Sequence, residues 1–293
     1  MTGTVSIKPE IQIETAILKQ YFSNMEFSDQ REKEVFFSYL RGFSILFFDS
    51  TIKNIAEIGG GQSTAIFALM AERFGCKVSV IDMNPEAIKN KVRSVELCDK
   101  IYKNVSFLNG VSINSFDLDS YYEHYLENIG GIPFNKVLEA SDEFIETSMD
   151  GRKESAVLKA LHISSLDVSL LQTAIVRNGV FSRALLDIYR TKNDEFDFLS
   201  TVPAANGLLT EILDQDEVDV VFLDSGEFSS LPEWEIIAEK LRIGGYVILH
   251  DIFFPKSFKN WLVCASIRVN PEWNIVYLDR STPQGFMVAR REK

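Results

Sequence analysis

The sequence predicts an α/β fold: a doubly wound, mostly parallel seven-stranded sheet with a reversed last strand, a helical cap in front and a helical insertion within. Three observations predict it. An apolar run at 54–58 enters three glycines and then an apolar helix at 65–74, and a second apolar run at 77–82 is again followed by a helix. That alternation of strand and helix is the mark of parallel strands joined by crossovers. Much later, 218–224 and 246–251 resume the alternation, and 273–278 with 285–290 read as an antiparallel hairpin that turns the last strand back.

Residues 1–50 form the cap, with helices expected at 9–24 and 29–49. In the second, a polar start gives way to Val35, Phe36, Leu40, Phe43, Leu46 and Phe47, a broad apolar surface that needs a partner. Its aromatic richness suits packing on the sheet, a homodimer face or a pocket wall, and no ligand contact is assigned to it.

Residues 51–293 carry the ligand-binding sheet. Its first turn reads Glu57-x-Gly59-Gly60-Gly61. Glycine there admits backbone angles that a Cβ forbids and lets a ligand approach the free N–H groups of the following helix. A dinucleotide-binding turn asks for a third glycine at position 64, where this chain has Thr64. The Glu57 carboxylate would repel phosphates and suit a cation, so a nicotinamide dinucleotide is disfavoured. The second strand ends at Asp82, 21 residues beyond Gly61, where a carboxylate can accept ribose hydroxyls. Met83 and Asn84 then lead into a helix at 86–95. The third strand is expected at 104–108, with Asn109 at its tip facing an adenine; 196–201 is an alternative third strand that would place Thr201 there instead.

From Gly110 the alternation stops for 108 residues, until Val218, far more than one crossover needs. A helical insertion is expected at about 111–200, with helical stretches at 117–128, 136–148, 152–162 and 166–189 and turns at Gly130-Gly131 and Pro203. On the strand-tip side it would be a lid that carries substrate choice, with Tyr121, Tyr122, His124 and His162 among its polar residues.

The sheet resumes with a strand ending at Asp224, a helix at 231–241, the turn Gly244-Gly245 and a strand ending at His250 and Asp251. With these motifs in place, residues 52–110 and 218–290 resemble the class I S-adenosylmethionine-dependent methyltransferases, of the small-molecule type that includes catechol and antibiotic O-methyltransferases. The resemblance implies a cofactor-binding set of Glu57, Gly59, Gly60, Gly61, Asp82, Met83, Asn109 and Asp224. The methionine moiety would lie over Gly59 and Gly61, with Glu57 near its ammonium and Asp224 facing the transferred methyl.

In metal-dependent members of that type a carboxylate on the fourth strand and a polar pair on the fifth hold Mg²⁺; the matching residues here are Asp224, His250 and Asp251. His250 departs from the pattern, since an imidazole suits Mn²⁺ or Fe²⁺ better, or serves as a metal-free general base. Ligation of Mg²⁺ or Mn²⁺, catalysis by His250 with Asp224, and a structural strand end all remain open. The implied function is in-line transfer of a methyl group from S-adenosylmethionine to an oxygen or nitrogen of a small molecule. A catalytically silent adenosylmethionine-binding regulator and an NAD-dependent oxidoreductase are the alternatives.

Composition narrows the partners. The 293 residues carry a net charge of −12, without the clustered Lys and Arg that phosphates demand, so neither nucleic acid nor an anionic membrane is expected. Three cysteines, Cys76, Cys98 and Cys264, lack metal-type pairing. The first twenty residues lack the apolar core of a signal peptide, and no apolar run reaches membrane length, so a cytoplasmic location is expected.

Overall fold

The computed structural model describes residues 9–25, 27, 29–93, 102–114, 121, 128–144, 194–195, 197–199, 207–215, 217–254, 257, 259–282 and 284–293. In chain order the strands are β1 (Asn54–Ile58), β2 (Lys77–Asp82), β3 (Val105–Asn109), β4 (Asn128–Ile129), β5 (Ile132–Pro133), β6 (Val220–Leu223), β7 (Tyr246–His250), β8 (Trp273–Asp279) and β9 (Phe286–Arg291). The helices are α1 (Pro9–Tyr21), α2 (Gln30–Leu46), α3 (Ser63–Phe74), α4 (Pro85–Arg93), α5 (Phe134–Ala140), α6 (Leu208–Gln215), α7 (Ser230–Lys240) and α8 (Trp261–Val269).

Seven strands form one sheet in the order β3-β2-β1-β6-β7-β9-β8. β3, β2, β1, β6 and β7 are parallel; β9 is antiparallel to both of its neighbours, so it is the reversed strand. The central strands read as unbroken apolar runs because helices cover both faces: all four residues of β6 are buried. On one face Phe43 of α2 and Phe67 of α3 pack against Phe222. On the other, Trp234 of α7, Trp261 of α8 and Phe228 are fully buried in one cluster. Gly42 lets α2 lie close to β9, since a Cβ there would fall 2.4 Å from the Phe286 ring.

Boundaries differ from expectation where side chains close a turn. α2 ends at Leu46 rather than 49, and the chain then turns as the Asp49 carboxylate accepts the backbone N–H of Thr51 at 3.0 Å and the Tyr246 hydroxyl at 2.9 Å. The third strand is β3, and 197–199 are helical, which removes 196–201 as its alternative. The Gly130-Gly131 turn joins β4 to β5, both glycines at positive φ. α8 was not foreseen: its residues 261–267 are all buried, so it shows no amphipathic period to read. Most of the expected insertion, including Tyr122, His124, His162 and its stretches at 152–162 and 166–189, lies outside the described residues, as do Cys98 and Pro203. Among the described residues no helix is long and apolar enough to cross a membrane.

Candidate functional site

The parallel order puts the C-terminal ends of β3, β2, β1, β6 and β7 along one edge. β1 and β6, neighbours in the sheet but not in the chain, lie side by side at the point where the strand order reverses, the place where open α/β sheets form a ligand crevice. Asn109, Asp82, Glu57, Asp224, His250 and Asp251 all lie at or next to those ends. Asn109 and Asp82 are register partners, and Asn109 is exposed. Met83, just past β2, is 38% exposed.

The three glycines serve different ends. Gly59 has φ +78° and packs against β6, where a Cβ would fall 2.1 Å from the Asp224 carbonyl oxygen. A Cβ on Gly60 would fall 2.4 Å from Ile88 of α4. On Gly61 it would meet no atom within 4 Å, so this is the glycine whose face is open to a ligand. Asp82 braces the turn: its carboxylate accepts the N–H of Gly60 at 3.1 Å and that of Asn84 at 2.6 Å.

Glu57 is fully buried beneath the turn, and both its oxygens are engaged, by the hydroxyls of Ser63 and of Thr64 at 2.7 Å. Thr64 also accepts the Gly61 N–H at 3.1 Å. Burial, against those two hydrogen bonds, pushes the Glu57 carboxyl up to about 8. Its structural place is therefore under the loop, held by the first turn of α3. A threonine at position 64 disfavours a pyrophosphate site and, in this chain, supplies the link between loop and carboxylate.

Asp224, His250 and Asp251 come together as expected. The imidazole Nδ1 of His250 is 3.5 Å from Asp224 Oδ1, and its Nε2 is 3.2 Å from Asp251 Oδ1. Three residues that sequence reasoning missed complete the cluster. The Tyr39 hydroxyl bonds to His250 Nε2, and its ring stacks on Phe286 at 4.9 Å. Burial first, then the Asp251 and Asp224 charges, raise the Tyr39 phenol far above its ordinary value, so it stays protonated. The Lys259 ammonium lies 2.5 Å from Asp224 Oδ1 and 3.9 Å from Asp251 Oδ2. Asn260 donates its amide to the carbonyls of Leu223 at 3.1 Å and His250 at 2.7 Å, clamping the tips of β6 and β7. Tyr39 was seen only as part of an apolar helix, and Lys259 and Asn260 precede a helix that had no periodic signal.

Electrostatics follow from these contacts. Burial would raise Asp224, but Lys259 and then His250 outweigh it and hold its carboxyl at about 2. Burial raises Asp251 above the ordinary carboxylate range despite the same two neighbours. Asp251 also has φ +57°, the one non-glycine residue at positive φ among the described residues, and such strain gathers at sites where a side chain must be aimed.

A divalent ion could be offered ligand atoms by Asp224, His250 and Asp251, which lie within 4.8 Å of one another. All three residues already have partners within the protein: Asp224 Oδ1 meets Lys259 and His250, His250 Nε2 meets Tyr39, and Asp251 meets His250 and Lys259. A donor set that carries its own ammonium does not fit a resident divalent ion.

The described part of the insertion reaches this edge. Glu195 accepts the N–H groups of Phe228 at 3.0 Å and Ser229 at 2.9 Å, on the loop that follows Asp224.

No protein-family model and no curated protein matches the chain. Solved structures do resemble it at low identity. The O-methyltransferase from Bacillus cereus in complex with SAH is 12% identical, TM-score 0.42, over 99% of this chain and 94% of that one. A cofactor-bound protein from MTB is 13% identical, TM-score 0.39, over 99% and 94%. An rRNA methylase from Streptococcus thermophilus is 11% identical, TM-score 0.38, over 92% and 100%. Overlaps of this depth decide nothing about activity, and the fold stands on the strand order itself.

Proposed function

We propose that the chain binds S-adenosylmethionine at the Gly59–Gly61 turn and transfers its methyl group to an oxygen or nitrogen of a small molecule held at the tips of β6 and β7. The observation that carries this reading is the row of acidic residues at strand ends, Asp82 on β2, Asp224 after β6 and Asp251 after β7, along the same sheet edge as the glycine turn with its open Gly61. Such an edge favours a cationic nucleoside and repels a pyrophosphate.

When bound, the cofactor supplies an electrophilic methyl on a sulfonium. The chain's residues do the rest. In this reading Asp82 and Asn109 take the ribose and the adenine edge, and Gly61 leaves room for the chain of the amino acid. Asp224, kept ionised by Lys259, favours positive charge at the methyl-facing end of the crevice. His250 and Asp251 form the acceptor pair for a substrate proton; the raised Asp251 carboxyl is nearer in basicity to neutral than an ordinary aspartate. The cap helix supplies Tyr39 to orient the imidazole, and Glu195 holds the loop that follows Asp224. Most of the rate gain then comes from positioning and exclusion of water.

The test is incubation with methyl-labelled S-adenosylmethionine and panels of hydroxylated and amine acceptors, read by mass spectrometry. A product one methyl heavier, lost in Asp224→Asn, supports the reading; cofactor binding with no methylated product from any panel counts against transfer and favours a silent binder.

A further inference from the structure

We propose that Lys259 is the resident cation of the Asp224–Asp251 pair, standing where a metal-dependent transferase would hold a divalent ion, so that this site works without a metal. Three observations support it. The ammonium is placed between the two carboxylates, 2.5 Å from Asp224 and 3.9 Å from Asp251, and its side chain is only 11% exposed. A buried ammonium is favoured by carboxylates around it, and two carboxylates this close are eased by a positive charge between them. The backbone of Lys259 is also held in place. Its backbone N–H donates to Glu227 at 2.9 Å, and the next residue, Asn260, is fully buried and clamps β6 to β7. Lys259, just before α8, thus brings a cation to the place where β6 and β7 would otherwise present an ion site.

Charge explains why one cation suffices. Asp224 and Asp251 can carry two negative charges between them, and Lys259 carries one positive charge. The remaining negative charge is suited to a single cationic ligand and is too little to hold a divalent ion beside an ammonium. A lysine differs from Mg²⁺ in what it does for a substrate: it donates hydrogen bonds to an oxygen and stabilises a developing anion, but it does not coordinate two oxygens of a vicinal diol at once. The site should therefore accept mono-hydroxylated or amine acceptors without preference for catechol-like pairs. That use in catalysis rests on the methyltransferase reading; the exclusion of the ion does not.

The test is Mn²⁺ titration of the full chain followed by electron paramagnetic resonance, with thermal unfolding in parallel. Wild type is expected to bind no Mn²⁺ and to show no shift of Tm with it. Lys259→Met and Lys259→Gln, which leave the carboxylates without a cation, are expected to lose stability, to bind one Mn²⁺ per chain and to regain Tm when it is added. Lys259→Arg keeps the charge and is expected to exclude Mn²⁺ as wild type does. One Mn²⁺ bound by wild type and lost in Asp224→Asn would overturn the proposal, as would failure of both neutral variants to bind it. S-adenosylmethionine binding is titrated separately on the same samples: absence of cofactor binding alongside the expected Mn²⁺ pattern would reject the cofactor and leave the cation assignment intact.

Discussion

The hydroxyl of Thr64 donates to Glu57 at 2.7 Å and accepts the backbone N–H of Gly61 at 3.1 Å, so one side chain ties the glycine turn to the acid buried beneath it. The turn owes its shape to this link as well as to its glycines. Thr64→Val keeps the volume and removes both bonds, leaving a buried acid oxygen and a loop N–H with fewer partners. A loss of about 1–3 kcal/mol in urea unfolding is expected, with most of it restored in Thr64→Ser.

The glycines should separate stability from binding. Gly59→Ala is strained at φ +78° and drives its methyl into the Asp224 backbone, so it should lower Tm markedly. Gly61→Ala meets open space and should leave Tm nearly unchanged while weakening S-adenosylmethionine binding, because its methyl occupies the face offered to the ligand. Thermal unfolding and calorimetric titration of the two variants check this; equal effects of both on both readouts would contradict it.

Glu57 makes stability depend on pH in a stated direction. Its folded carboxyl holds a proton up to about 8, against the ordinary 4.5. Between those values the unfolded chain has released a proton that the folded chain retains. The contribution is therefore complete below about pH 4.5 and is lost as pH rises towards 8. Unfolding free energy should fall across that window by up to about 4 kcal/mol, and the Glu57→Gln variant should lack that part of the slope.

The periodic parts of the fold were legible because they obey local rules. Apolar runs of strand length, glycines at Gly59–Gly61 and the carboxylate Asp82 located β1, α3 and β2, and the paired runs around 273–290 located the hairpin that reverses β9. α8 was hidden because burial on every side erases its polar face. The site divided the same way. Asp224, His250 and Asp251 were visible as strand ends, whereas Lys259, Asn260 and Tyr39 join them only through long-range packing: Tyr39 is 211 residues from His250 in the chain. Glu57 was visible, but its engagement by Ser63 and Thr64 depends on how the first turn of α3 folds back over it.

Asn260 should act on geometry more than on binding. Its amide fixes the carbonyls before Asp224 and Asp251, and Asn260→Ala frees both strand tips. Stability is expected to fall by about 1–3 kcal/mol. Methyl transfer should fall in kcat well beyond any change in the dissociation constant of S-adenosylmethionine, measured by single-turnover assay and calorimetry.

The most direct test of the central claim is calorimetric titration of the cofactor-free protein with S-adenosylmethionine, with NAD as control and Asp82→Ala as the comparison. Saturable binding of S-adenosylmethionine alone is predicted, weakened roughly tenfold to a hundredfold in Asp82→Ala, as expected for loss of charge-assisted hydrogen bonds to the ligand. Saturable binding of NAD, or no binding of either nucleotide by the folded protein, would contradict it.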